Sequence, residues 1–404
     1  MKNSDQSSSL PLQDIKVLEL GQLLAGPYCG QVLGDFGAEV IKVEPPKIGD
    51  AMRQWGVAGA DGDPVWWNVI SRNKKSMSLN LREPEGQEII RKLIKDTDIL
   101  IENFRPGTME KWGLDYETLS TINPGLIMVR VSGFGQDGPY ASRAGYASVC
   151  EAMGGLRYIC GSPDQPPVRV GISIGDTLAG LHGALGAMVA MHHRDRTGVG
   201  QVVDSAIFES VLAMMESLVP DYAKTGKIRE RSGSVLPGIA PSNAYPTLDK
   251  KDVIIGANQD SVFSRLCVVI GKPELIVNPD YSSHQTRGTH QKELDDIISA
   301  WTRKHDATEI VIMMEAAGVP SGLIYRAPEM LEDPHFKARQ SITNVQDRFG
   351  NDLPMQNVFP KLSATPGKIQ HVGPTLGEHT EDILTDRLGL SQSTITELYA
   401  AGII

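Results

Sequence analysis

Cysteine is scarce in this sequence. The 404 residues hold four, Cys29, Cys150, Cys160 and Cys267, scattered without CxxC or zinc-ligand spacing. That argues against a disulfide scaffold and points to a reducing compartment. Positive charge is in deficit, because 39 Lys plus Arg against 49 Asp plus Glu leave a net −10. No diffuse field exists to hold a nucleic-acid backbone or an anionic membrane, so an anionic ligand must be caught by a local basic cluster. Nowhere do roughly 18 uncharged apolar residues run together; the nearest approach, 177–191, is shorter and carries His182. Residues 1–10 are polar and serine-rich, without the apolar core of a secretory signal, and are expected to form a disordered leader. The expectation is a soluble, cytoplasmic protein.

The composition is that of an ordinary globular chain, 41% apolar and 22% charged with 41 Gly and 25 Pro. The length suggests two or three domains. Residues 15–20 read as a buried strand, followed by a Gly-rich turn over 21–27, a helix to Phe36 and a second strand at 39–44, which is a βαβ unit. Apolar runs at 98–101 and 126–131 alternate with helical stretches such as 84–95, the pattern of a parallel, helix-covered sheet and an α/β class. Val168 to Ile174 reads as a strand, then a helix over 177–193, a turn at 196–200, a strand at 201–204 and a helix through Leu218. Lys and Arg alternate with Gly beyond Ala223, and a Pro-rich stretch follows, so 223–246 is read as a linker. A smaller domain is expected over 247–327, with the large one made of 11–222 and 328–404.

Three constellations carry candidate chemistry. Glu44 ends the second strand where an acidic residue can hold a ribose hydroxyl, but Gly21, Gly26 and Gly30 do not space as GxGxxG, and a tight strand-to-helix turn is the favoured reading of them. Gly171-Ile172-Ser173-Ile174-Gly175 is a literal GxSxG, yet the helix is expected only after Asp176, and no histidine precedes His182 to form an upstream oxyanion loop. Asp176 itself opens an apolar helix rich in Ala179, Gly180, Gly183, Ala184, Gly186, Ala187 and Ala190. A helix N-cap is its bland role, and a nucleophile at a strand-to-helix junction its chemical one. Two basic patches, Arg72 with Lys74 and Lys75, and Arg105 with Lys111, are candidates for phosphate or for plain solvated surface. His192 and His193 end a helix favourably, with no metal-ligand spacing.

Taken in order, these segments carry a resemblance. Val17-Leu18-Glu19-Leu20 through Leu24-Ala25-Gly26-Pro27, then Gly37 to Glu44, Arg72 to Ser76, Glu102 to Gly107, Ser132 to Gln136 with Gly138-Pro139, Gly175-Asp176, Thr197 to Gln201, Gly318-Val319-Pro320 and Leu376 to Thr380 together resemble a class III coenzyme A transferase of the CaiB/BaiF type over nearly the whole chain. The resemblance implies a Rossmann-like large domain formed from both chain ends, a smaller α/β domain between them and an interlocked homodimer. It implies that Asp176 is the nucleophile and forms an aspartyl-CoA thioester. Positions implied to contact CoA are Leu24, Ala25, Leu79, Asn103, Phe104, Arg105, Lys111, Ser132, Gly133, Phe134 and Gly135. Formyl-CoA transferases carry Gln at Leu24, Arg at Pro45, Lys at Ser132 and a glycine-rich loop absent around 256–260, which argues against formyl chemistry. The phosphate contact is thereby left to Arg72, Lys75 or Arg105.

A related α-methylacyl-CoA racemase needs a His in a Gly-His-Asp stretch, which here reads Gly145-Tyr146-Ala147; tyrosine, with an ordinary pKa near ~10, is a poor base at neutral pH. The implied reaction moves CoA from a donor such as succinyl-CoA to a small dicarboxylate of the succinate, malate or glutarate kind. Gln22, Arg143, Tyr146 and Arg169 are candidates for the acceptor's pocket, with an arginine holding the distal carboxylate. A carnitine-type acceptor is the alternative, and a non-catalytic CoA-binding protein the other. No metal or permanently bound cofactor is expected, coenzyme A entering as thioester substrate.

Overall fold

The computed structural model describes residues 10–59 and 64–404; nearly all of the leader lies outside them. Six strands, β1 (Lys16–Glu19), β2 (Glu39–Glu44), β3 (Lys74–Ser78), β4 (Ile99–Glu102), β5 (Ile127–Ser132) and β6 (Val202–Ala206), form one sheet in the order β3-β2-β1-β4-β5-β6. Every pairing in it is parallel, with β1 between β2 and β4. Such a sheet is buried on both faces, which is why its central strands are near-continuous apolar runs. Successive side chains point to opposite faces. Leu18, Ile41, Leu100 and Met128 join one core cluster, completed by Ile383, Leu384 and Ile395 from the C-terminal helices and Ile403 from the tail after them. Val17, Val40, Ile99, Ile101 and Val129 join the other, covered by the Ala25–Asp35 and Ile174–Thr197 helices.

The chain divides into two compact units, one of residues 1–157, 170–220 and 339–404, the other of 158–169 and 221–338. The second has its own three-stranded antiparallel sheet, β7 (Ser242–Pro246), β8 (Asp252–Gly256) and β9 (Ser321–Leu323), and its own core around Tyr245, Phe263, Leu294 and Met314. In the first unit β10 (Ile342–Gln346) and β11 (Asp352–Gln356) make an antiparallel hairpin.

Several local expectations change. The Pro-rich end of the supposed linker is strand β7, whose prolines, Pro241 just before it and Pro246 at its last position, leave the pairing intact. The expected strand over 168–174 does not form; the long helix starts at Ile174, so Asp176 sits inside its first turn and not at the cap. The helix read through Leu218 breaks after Leu212, in a turn where Glu216 is left-handed at φ 51°.

Ile174–Thr197 is the one helix among the described residues long and apolar enough to cross a membrane, with 44% of its most apolar window buried. Its small residues have a packing reason. A Cβ on Gly180 would lie 2.6 Å from the Ala25 carbonyl oxygen and 3.0 Å from Tyr28 Cβ, and one on Gly183 would lie 3.1 Å from Val129. The small-residue face is filled by the Ala25–Asp35 helix and β5. Gly180→Ala must therefore push two helices apart. The overpacking cost of about 1–3 kcal/mol exceeds the roughly 1 kcal/mol of helix propensity gained, and thermal unfolding should show a lowered Tm; an unchanged or raised Tm contradicts the packing.

Candidate functional site

Among strands β1, β2 and β3 lies a cluster of buried charges. Lys42, 1% exposed, reaches Asp50 at 2.8 Å and Glu19 at 3.1 Å and donates to the Gly21 carbonyl at 2.8 Å. Lys74 bonds the other Glu19 oxygen at 2.8 Å and the Pro27 carbonyl at 2.6 Å. Burial alone would strip Lys42 of its proton, but the Asp50 and Glu19 carboxylates raise its pKa instead. Burial pushes the Asp50 carboxyl up as well, and Lys42 outweighs it, leaving the group below the ordinary carboxylate range. Asp50 also accepts from Leu23 N at 3.0 and 3.1 Å. Leu23 has φ 63°, a left-handed conformation unusual for leucine. Asn103 clamps the neighbouring residue from the other side, accepting from Gln22 N at 2.8 Å and donating to its carbonyl at 2.7 Å. The turn that enters the Ala25–Asp35 helix is thus fixed by charges and an amide rather than by its own propensity.

Over that turn opens a cleft of about 880 Å3 lined by Gln22, Pro45, Pro46, Lys47, Ile48, Leu79, Arg82, Phe104, Thr108 and Trp112, among others. It lies outside the carboxyl ends of the strands, where open parallel sheets bind ligands. Phe104 and Trp112 meet edge to face at 5.1 Å and give it an aromatic wall. Phe104 N is held at 2.8 Å by Glu102, which pairs with Arg130 at 2.7 Å. Burial pushes the Glu102 carboxyl up to about 7 in spite of that arginine. A larger hollow of about 1040 Å3 lies against the β10–β11 hairpin, among Gln340, Lys361, Lys368 and His371; it contains none of the sequence-selected site residues.

Asp176 stands in the first turn of its helix, one turn ahead of Gly180 and on the same face. Because Gly180 rests on Ala25, that face runs toward the Gln22–Ala25 turn. Glu151, 1% exposed on the Ala147–Met153 helix, accepts from Gly175 N at 3.3 Å and so serves the helix start. Cys150 beside it contacts the Gly133 carbonyl at 3.2 Å. Burial, followed by the charges of Asp176 and Glu151, pushes its thiol up to about 11, so it stays protonated at neutral pH.

Of the sequence candidates, Gln22, Leu79 and Phe104 line the cleft. Leu24 and Ala25 are buried in the turn beneath it, Leu24 packing on Met52, Trp67 and Ile70. Asn103 braces the turn, while Arg105 and Lys111 are exposed just beyond β4. Ser132, Gly133, Phe134 and Gly135 form the turn leaving β5, where Ser132 Oγ accepts from Gly135 N at 2.9 Å. Arg143 stacks over Tyr140 at 3.5 Å, Tyr146 is 72% exposed ahead of the Ala147–Met153 helix, and Arg169 is exposed in the second unit. Arg72 is a correction. Only 2% exposed, it is taken up by both oxygens of Asp35 and the Gln356 carbonyl, and no phosphate can reach it. Lys75 pairs with Glu39 at 2.6 Å, away from the cleft. Glu44 is likewise spent, bound by Arg53 at 2.7 and 2.8 Å and by Ser76 at 2.7 Å, which removes the ribose reading. Lys47 and Arg82 escaped sequence reasoning because charge alone does not show which cations have partners.

The CoA-transferase family III model matches residues 12–380. Succinyl-CoA–D-citramalate CoA-transferase of Chloroflexus aurantiacus is 56% identical, over 99% of this chain and 100% of that protein. The beta subunit of succinyl-CoA–L-malate CoA-transferase from the same organism is 41% identical, over 98% and 99%. The crystal structure of a CaiB/BaiF family protein from Brucella suis superposes with a TM-score of 0.83 at 33% identity, over 94% of this chain and all of that one. The chain belongs to CoA-transferase family III, and it is a CoA-transferase.

Two predictions follow from the charge arrangement. Asp50→Ala leaves Leu23 N and part of Lys42 without a partner, and should cost about 3–5 kcal/mol in denaturant unfolding; a loss below about 1 kcal/mol would show that the cluster does not hold the turn. Glu102 keeps its proton to higher pH in the folded chain than in the unfolded one, so it binds more protons when native and draws stability down as pH rises from about 4.5 to about 7. In Glu102→Gln, Tm followed across that window should lose this downward component relative to wild type, and parallel curves for the two proteins would contradict it.

Proposed function

We propose that this chain moves CoA from succinyl-CoA to a hydroxylated dicarboxylate of the citramalate or malate kind through an aspartyl-CoA thioester on Asp176. The observation that carries the reading is the placement of Asp176 in the first turn of a 24-residue helix that rests on Ala25, next to the turn flooring the cleft. The cleft suits the nucleotide end of CoA, offering an aromatic wall for a planar base and cations for phosphate. The names of the relatives support the donor and the acceptor class.

In the first half, an Asp176 carboxylate oxygen attacks the succinyl-CoA carbonyl, the C–S bond breaks, and a mixed anhydride and CoA thiolate result. The thiolate then attacks the aspartyl carbonyl and succinate leaves as its carboxylate, giving the aspartyl-CoA thioester. The acceptor carboxylate attacks that thioester, and the returning thiolate takes the acceptor acyl group, restoring the Asp176 carboxylate. Thioester is exchanged for thioester, so no external energy is required and water must be kept out. The positive end of the helix favours the anionic first state and the oxyanions formed at the aspartyl carbon. The protonated Cys150 thiol next to it does not compete as nucleophile.

The same reading includes a homodimer in a cytoplasmic setting. Val149, Ile172, Leu181, Leu185 and Val189 of the first unit are exposed, an apolar surface that a second copy would cover, and all four cysteines are free thiols. Sedimentation should give twice the chain mass; a monomer at micromolar concentration contradicts it.

Asp176→Asn keeps size and hydrogen bonding but supplies no nucleophile. With succinyl-CoA and a panel of citramalate, malate, glutarate and carnitine, chromatography of the CoA esters should show transfer to the hydroxydicarboxylates by wild type and a loss of at least ~1000-fold in the variant, at unchanged Tm. Turnover retained by the variant overturns the nucleophile, and transfer to carnitine alone overturns the acceptor class.

A further inference from the structure

Lys47 is a cleft residue that neither its type nor its neighbours in sequence single out. It sits in Pro45-Pro46-Lys47-Ile48-Gly49 with φ 68°, the left-handed region that a residue with a side chain keeps only where its surroundings dictate it. Here they do. Ile48 N donates to the Pro46 carbonyl at 2.8 Å and Gly49 N to the Pro45 carbonyl at 3.0 Å, while the two prolines fix their own φ. Gly49 is left-handed too, and a Cβ on it would lie 2.7 Å from Arg53 Cδ. At the base of the loop Glu44 accepts from Asp50 N at 3.0 Å and binds Arg53. The loop is therefore stiff, and its strain is maintained by the buried charges beneath it.

What that strain presents is an exposed ammonium on the wall of the cleft. Among the described residues lining the cleft, Lys47 and Arg82 are the Lys and Arg side chains, and neither makes an ion pair or hydrogen bond. In a chain of net charge −10, where Arg72, Lys42, Lys74 and Arg53 are all spent on internal carboxylates, two unspent cations on one cleft are the complement of an anion. Backbone strain held at a ligand-facing position is the mark of a clamp.

We propose that Lys47 is a phosphate anchor, its left-handed loop aiming the ammonium at a phosphate of the nucleotide end of coenzyme A, with Arg82 as the second cation. The proposal rests on the reading of the cleft as the CoA site. As a compact charge on a flexible stem, a lysine holds phosphate without a fixed fork geometry, so the loop and not the side chain supplies the pre-organisation.

Isothermal titration of the full chain with CoA and with 3′-dephospho-CoA tests it, using wild type, Lys47→Gln and Lys47→Gly. The glycine variant relieves the left-handed strain, so its fold is secure and only the charge is lost. Both variants should bind CoA roughly 10-fold more weakly, with a shallower dependence of Kd on salt and a matching rise in KM for succinyl-CoA. If the difference from wild type vanishes with 3′-dephospho-CoA, the anchored group is the 3′-phosphate. If it persists, it is the diphosphate; either result supports the anchor. Wild-type affinity in both variants overturns it, whereas a wild type that does not bind CoA overturns the reading of the cleft itself.

Discussion

The neutralisation of Lys42 and Lys74 inside the sheet is the constraint on which the rest depends. Two ammonium groups that no solvent reaches are tolerable only with carboxylates and carbonyls in fixed places. Glu19, Asp50 and Glu44 supply the carboxylates, and Arg53 balances the third, so three cations face three anions. The carbonyls come from Gly21 and Pro27, in the turn before and the first residues of the first helix. One electrostatic requirement thereby sets both the floor of the cleft, through Gln22 and Leu23, and one of its walls, through the Pro45–Gly49 loop. Replacing the cluster with apolar groups would leave the fold a core but would leave the turn without its left-handed Leu23.

The first turn of the Ile174–Thr197 helix is positioned by sterics instead. Gly180 and Gly183 let the Ile174–Thr197 helix come down on Ala25, Cys29 and Val129. The helix start is served by Glu151, a buried carboxylate from a separate helix, so Asp176 is not placed at the capping position. A carboxylate in the first turn is favoured by the helix dipole in its anionic state. The cleft and the first turn of the Ile174–Thr197 helix approach the same few residues, Gln22 to Ala25.

Much of this was legible in the sequence, and the misses have physical causes. Strand β2 falls at Glu39–Glu44 as its apolar run predicts, and β1, β4, β5 and β6 shift by only a residue or two, because burial on both faces leaves a continuous pattern, whereas β3 was missed because Lys74-Lys75-Ser76 reads as a basic patch. Asp176 was singled out by its helix, but its position within the turn was not, since Val168 to Ile174 alternate like a strand while forming none. Arg72 looked available because sequence shows no partner, and Asp35 lies 37 residues away. Lys47 was invisible for the converse reason: what sets it apart is a backbone angle and the absence of an ion pair, neither of which composition or periodicity encodes. The small residues of the long helix give no sign in the sequence of what they make room for, and in the structure it is another helix and a strand.

The central claim is that CoA becomes covalently attached to Asp176. Intact-protein mass spectrometry after brief exposure to succinyl-CoA, followed by peptide mapping with and without hydroxylamine, tests it most directly. The account predicts a CoA-sized adduct on the peptide bearing Asp176, cleared by hydroxylamine. An adduct on the Cys150 peptide, or turnover with no adduct on Asp176 under any donor, would contradict it.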